Sequence, residues 1–341
     1  MSTRRQGRSI VLATVSITIA GVLAMATTDA AAREPVRLIF DTDMGNDIDD
    51  ALALGCIHAL ASRGECELLA VTLTKSGPSS APFCDIVNTF YGRPDIPIGS
   101  CRGGPTPKEG NYTKAVATAK DGGKLRYPRT VKDSQSVPEA TDVLRKTLAA
   151  QPDRSVVIVQ VGFSTNLAAL LDSNPDAHSP LAGPELVRKK VRLLSAMAGS
   201  VHFAEYNVKM DVPAARTVFN TWPTPIVFSP FEVGKVIKFP AASIEADFAY
   251  VAHHPLREAY HAYKKMPYDR ETWDLTSVLQ AVRPGRGYFT LSPPGRVAVA
   301  DDGKLSFREE AGGPHTILSV TPEQIVRVRE ALVFLASQPP G

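Results

Sequence analysis

Residues 41–50 read Asp-Thr-Asp-Met-Gly-Asn-Asp-Ile-Asp-Asp, so five aspartates fall within ten positions. They follow a short apolar run, Val36–Phe40, that reads as a strand. Carboxylates crowded at the end of a buried strand repel one another, and a bound cation relieves that repulsion. Oxygen-only donors select a hard ion, Ca²⁺ or Mg²⁺, and flexible clustered carboxylates lean towards Ca²⁺. The plainer alternative is a solvated acidic loop that caps the next helix, a task that also suits Asp49 or Asp50. The spacing excludes an EF-hand. Counted from Asp41, Gly45 is fifth and Leu52 twelfth, whereas that loop needs glycine at its sixth place and glutamate at its twelfth.

The elements that must position these side chains alternate. After the strand at Val36–Phe40, a helix is predicted over Asp50–Ser62, apolar on most faces and therefore buried. Then follow a strand at Glu67–Leu73, a helix at Ala81–Tyr91 and a strand at Ile96–Gly99. A helix at Pro138–Ala150 precedes a strand at Ser155–Val161 and a short helix at Thr165–Leu171. Strands at Val191–Met197 and Pro225–Phe228 flank a helix at Val212–Asn220. Near-continuous apolar strands alternating with helices imply an α/β fold with a mostly parallel central sheet and helices on both faces. In such sheets ligands sit outside the carboxyl ends of the strands, where the aspartates lie. Gly103–Val137, rich in glycine and proline with five lysines, reads as a long loop, either a functional lid or disordered. Gly287–Glu309 alternates like a C-terminal β-hairpin, with turn signals at Pro293-Pro294-Gly295 and Asp301-Asp302-Gly303. A closing helix spans Thr321–Ala336, with Thr321 as its N-cap.

Composition narrows the class. The 341 residues are 44% hydrophobic and 21% charged, which is globular. A net charge of +3 argues against a dedicated nucleic-acid binder. Arg4, Arg5 and Arg8 precede an uncharged run, Ser9–Ala26, and then Ala30-Ala31-Ala32. That is the layout of a secretory signal peptide over residues 1–32 rather than a membrane anchor. Cleavage would remove three arginines and one aspartate and leave a charge of +1 on an exported, periplasmic or secreted single domain of residues 33–341. No later segment is apolar and long enough to hold it in a bilayer, and a homo-oligomer is left open. Cys56, Cys66, Cys84 and Cys101 are too far apart for a Cys-x-x-Cys metal site, and the choice between buried thiols and a disulfide stays open.

The string from Asp41 to Ala51 resembles the opening signature of the inosine–uridine preferring nucleoside hydrolases, Asp-x-Asp-x-Gly followed by an acidic pair and alanine. Further stretches follow in order. Val159–Leu167 resembles that family's strand-to-helix turn ending in Thr-Asn, and Met197-Ala198-Gly199 its Met-Gly-Gly turn. Glu205-Tyr206-Asn207 with Asp211–Ala215 resembles its Glu-Phe-Asn and Asp-Pro-Glu-Ala-Ala stretch. Trp273-Asp274 falls at its His-Asp pair. The resemblance covers roughly residues 36–283.

It implies hydrolysis of the N-glycosidic bond of ribonucleosides or related N-ribosyl compounds, with Ca²⁺ as cofactor and a small nucleoside as partner. Asp43, Asp50, the Val161 carbonyl and Asp274 would hold the ion. Asp43 would act as general base, and Asp49, Met197, Glu205, Asn207 and Trp273 would contact substrate. Two positions depart from the pattern. Thr74-Lys75-Ser76-Gly77 lacks an asparagine the family often has there, which leaves one ribose contact unassigned. Trp273 stands where many members carry the histidine that protonates the leaving base. Either another group, such as His202 or His254, supplies that proton, or the base needs none. Trp273 itself either stacks on the base or packs the wall. A strand followed by Asp-x-Asp also opens the haloacid dehalogenase phosphatases, with Asp41 as nucleophile, but Gly45 stands where they usually have threonine or valine. A non-catalytic nucleoside- or sugar-binding protein is the third reading.

Overall fold

β1 runs Val36–Thr42 and occupies the middle of the sheet, between β2 (Cys66–Leu73) and the strand Val156–Gln160. The computed structural model describes residues 34–341, together with Met1–Thr3 and Gly7. Apart from those four, the signal peptide expected over residues 1–32 lies outside the described residues.

From β1 the chain steps outward through β2 to Ile98–Ser100 at one edge. It then returns past β1 and builds the other half with Val156–Gln160, Val191–Met197 and Ile226–Ser229. All these neighbours pair in parallel. The order therefore reverses between β1 and Val156–Gln160, and a crevice opens outside the carboxyl ends of strands at such a switch point. Side chains alternate across the sheet. Leu38, Phe40, Val157 and Val159 enter one buried cluster, while Ile39, Val156 and Ile158 enter the other. Residues from the helices Asp49–Ser62 (α1), Trp273–Val282 and Pro322–Ala336 cover the first face. Those from Ala140–Ala150, Thr165–Asp172, Gly183–Lys190 and Val212–Thr221 cover the second. α1 is buried from Asp49 to Leu60, as its all-round apolar sequence requires.

Three expectations are refined. The C-terminal hairpin pairs Gly295–Val299 with Leu305–Glu309 around the Asp301-Asp302-Gly303 turn, while Pro293-Pro294 leads into it and makes no turn of the hairpin. A further strand, His315–Ser319, pairs in parallel with Ile226–Ser229 and antiparallel with Gly295, which joins the hairpin to the sheet. The segment 103–137 is not a structureless loop. It carries a helix, Asn111–Ala117, and buries Tyr112, Thr113, Tyr127 and Ser134. The closing helix has Thr321 as N-cap in a capping box with Gln324. The four cysteines are buried free thiols. No helix among the described residues is long and apolar enough to cross a membrane.

Candidate active site

The aspartate loop leaves β1 at the switch point, and two close backbone contacts shape it. Gly45 has φ +111°, a conformation L side chains rarely adopt. A Cβ at Gly162, just beyond Val156–Gln160, would lie 2.5 Å from the Asp43 nitrogen, so only glycine lets the two strand ends approach. The loop is braced from outside by Tyr112. Its hydroxyl accepts from the Gly45 N–H at 2.7 Å and donates to the Asp47 carbonyl at 2.6 Å.

α1 starts at Asp49, and the helix Trp273–Val282 starts one residue before Asp274. Two helix N-termini thus meet at one place, and their positive ends favour carboxylates there. The Asp274 N–H donates to Asp49 Oδ2 at 3.1 Å. One oxygen each from Asp49, Asp50 and Asp274 lie within 4.8 Å of one another, all three buried. Thr42 Oγ1 donates to Asp50 Oδ1, while Asp50 Oδ2 is buried with no hydrogen-bond partner. Burial, reinforced by the neighbouring aspartates, holds the carboxyls of Asp49, Asp50 and Asp274 well above the usual range. Burial likewise pushes Asp43 up to about 7, against a hydrogen bond from Asn46 Nδ2 at 2.6 Å. An unpartnered buried carboxylate oxygen, crowded by acids and supplied with oxygen donors alone, fits a hard metal ion.

These groups line one cavity of about 320 Å³. All nine residues singled out from the sequence line it: Asp43, Asp49, Asp50, Val161, Met197, Glu205, Asn207, Trp273 and Asp274. Asp49 joins Asp50 and Asp274 in the tight carboxylate trio, and Asp43 stands beside it with Asn46 attached. Asn207 Nδ2 donates to the Val161 carbonyl at 2.7 Å and lies 3.2 Å from Met197 Sδ. A carbonyl has two lone pairs, so one remains on Val161. Glu205 caps the short helix Tyr206–Lys209, accepting from the Asn207 N–H at 2.9 Å and from the Gly199 N–H at 2.8 Å.

Trp273 forms wall. Its Nε1 donates to the Phe231 carbonyl at 2.9 Å, its ring stacks on Phe231 at 5.2 Å, and the Arg270 guanidinium lies 5.1 Å from that ring. Neither candidate histidine lines the cavity. His202 is exposed. His254 is buried among Phe90, Phe248 and Tyr250, accepts the Leu256 N–H at Nδ1 and is held down to about 3 by burial. Asp41 is fully buried outside the cavity, its Oδ1 accepting from Thr72 at 2.6 Å and Asn166 at 2.8 Å, which removes it as a phosphatase nucleophile. Lys75 turns away, donating to the Thr106 carbonyl at 3.0 Å. The cavity also holds Asn46, Asp47, Tyr206, Phe231 and Arg270, to which the sequence reading assigned no role. Asn46, Asp47 and Tyr206 lay inside the quoted motifs. Phe231 follows the strand Ile226–Ser229 but carries no polar group, and nothing in the local string marks it as lining a site.

Residues 38–313 match the family described as inosine-uridine preferring nucleoside hydrolase. The pyrimidine-specific ribonucleoside hydrolase RihA of Salmonella paratyphi B is 32% identical over 217 residues, 61% of this chain and 64% of RihA. The chain thus spans a little under two thirds of the curated relatives it matches. Among solved structures, a plant nucleoside hydrolase, PpNRh1, has the same fold with TM-score 0.67 and 20% identity, covering 89% of this chain and all of that one. The inosine-uridine preferring nucleoside hydrolase of Bacillus anthracis gives TM-score 0.66 at 16% identity, over 88% of this chain and 99% of that one. With its aspartate loop, its strand-end carbonyl and its distal aspartate gathered in one cavity, the chain belongs to the inosine–uridine preferring nucleoside hydrolase family.

Proposed function

We propose that this protein hydrolyses the N-glycosidic bond of ribonucleosides, with Ca²⁺ held by the aspartate cluster. One observation carries the reading: Asp43, Asp49, Asp50 and Asp274 converge, buried, on a cavity that also presents Glu205 and Asn207. Asp43, Asp50, Asp274 and the Val161 carbonyl are the ligands assigned to the ion, and the trio geometry makes Asp49 available to it as well. Ca²⁺ accepts six to eight oxygens in loose geometry, which suits irregularly placed carboxylates better than the strict octahedron of Mg²⁺. When bound, the ion supplies a Lewis acid that lowers the pKa of a water molecule and orients the sugar hydroxyls.

The chain's own groups do the rest. Asp43 takes the proton of the attacking water. Asp49, Glu205 and Asn207 hold the ribose hydroxyls, and Met197 supports the sugar. The carboxylates stabilise positive charge developing at the anomeric carbon. Phe231 and Trp273 give a flat apolar wall for the base. The uncharged run Ser9–Ala26 and the small residues after it support export of the mature chain. The test is product analysis with inosine, uridine, cytidine and adenosine. Equal amounts of free base and ribose are expected from at least one of them. Tight nucleoside binding without either product would make the protein a binder instead.

A further inference from the structure

The aspartate cavity holds six carboxylates and, among the described residues that line it, one basic side chain, Arg270. No histidine, lysine or cysteine lines it. The other groups with exchangeable protons serve poorly as acids for a leaving base. The Trp273 indole N–H is engaged by the Phe231 carbonyl. Burial and the Asp43 charge hold the Tyr206 phenol protonated. Asn46 and Asn207 carry amides, which do not give up protons.

Arg270 is held in place from several sides. Its Nε and Nη2 donate to the two oxygens of Asp47, Nε at 2.9 Å, and Nη1 donates to Glu271 at 3.3 Å. Its guanidinium carbon lies 5.1 Å from the Trp273 ring and 5.4 Å from the Tyr263 ring. A guanidinium has five N–H groups. These bonds use three, leaving one on each terminal nitrogen. Trp273 and Phe231 are the aromatic side of the cavity proposed for the base, and the Arg270 guanidinium, 5.1 Å from the Trp273 ring, lies on that side. When the C1′–N bond breaks, its electron pair passes to the base. Among the described side chains that line the cavity, Arg270 is the one with positive charge to meet it.

We propose that Arg270 stabilises the departing base as an anion, by hydrogen bonds from its two remaining N–H groups, in place of a proton donor. The assignment rests on the nucleosidase reading. The water oxygen bonds to C1′ while its proton passes to Asp43. The C1′–N pair moves onto the base, which leaves as an anion and takes a proton from solvent after release. Arg270 keeps all its protons throughout. Such a site favours bases whose leaving nitrogen is conjugated with carbonyl groups, because the charge then spreads onto oxygens that a guanidinium fork meets well. Uracil is of that kind and adenine, which has no oxygen, is not. Asp47 is the positioning residue that fixes the fork.

The test compares wild type, Arg270→Ala, Arg270→Lys and Tyr206→Phe on uridine and on p-nitrophenyl riboside, whose leaving group departs unaided. Arg270→Ala is expected to lower kcat on uridine about 10²–10³-fold, the usual loss for a preorganised anion-stabilising donor. Its rate on the p-nitrophenyl substrate should fall by less than ~10-fold, since that anion needs little stabilisation. Added guanidinium ion should restore part of the uridine rate in Arg270→Ala and leave wild type unchanged. Arg270→Lys, which keeps the charge and most of the bulk, should show a smaller loss with the same preference for uridine. Equal losses on both substrates, or a uridine-selective loss in Tyr206→Phe instead, would overturn the assignment alone. A wild type inert on both substrates would overturn the nucleosidase reading and this assignment with it.

Discussion

In the proposed mechanism Asp43 takes the proton of the attacking water, and its substitution separates chemistry from folding. Asn at 43 is nearly isosteric but accepts no proton and ligates a cation weakly. Asp43→Asn should lower kcat about 10²–10⁴-fold, the range of a positioned general base. The metal-free variant should melt no lower than metal-free wild type, because the change removes a buried charge that repels Asp50. Thermal melts beside steady-state kinetics check both halves. A dead enzyme with a much lower Tm would instead mean that Asp43 holds the loop together. At this scale the sequence was most legible where residues cluster. Asp43, Asp49 and Asp50 announce themselves by crowding, and the family resemblance brought in Val161, Met197, Glu205, Asn207 and Asp274. Arg270 was not legible. Its partner Asp47 lies 223 positions away, and nothing in the local string ties an arginine to that carboxylate.

The elements show why the aspartate loop keeps its shape. β1 delivers it at the switch point, α1 fixes its far end, and the helix Asn111–Ala117 holds it from outside through Tyr112. Tyr112→Phe deletes one hydroxyl and leaves the Gly45 N–H and the Asp47 carbonyl without that partner. Loss of such a buried partner costs about 1–3 kcal/mol. Chemical denaturation should show a loss of that size, and a calcium titration should show weaker affinity, because the loop carries the aspartates proposed as ligands. Unchanged affinity would mean that the brace serves stability alone. Strand and helix order were readable because a parallel sheet buried on both faces yields apolar runs of distinctive length. The helix Asn111–Ala117 was hidden by the glycines and prolines around it. The strand His315–Ser319 was hidden because it mixes polar and apolar residues and follows Gly312-Gly313-Pro314, which reads as loop.

Across the whole molecule, the two cores carry polar groups that only the native state buries. Burial holds His58 and His254 at about 3 and His315 at about 4. A histidine whose folded pKa is depressed destabilises the native state once pH falls below the unfolded value near 6.5, because only the unfolded chain then takes up the proton. His254→Asn keeps an acceptor for the Leu256 N–H and does not titrate. Between pH 7.5 and pH 5 the stability gap between wild type and this variant should shift by about 2 kcal/mol in the variant's favour. A gap independent of pH would show that His254 titrates freely in the folded protein. The claim on which all else depends is that the switch-point cavity breaks a nucleoside by means of a metal held among its aspartates. Its most direct test is a Ca²⁺ titration of metal-stripped protein, with ribose release from uridine as the signal. No turnover is expected without metal, followed by a rise to a plateau at about one Ca²⁺ per chain, with Tm rising in step as the ion binds the folded state. Full uridine turnover by protein that elemental analysis shows to be free of metal would contradict it.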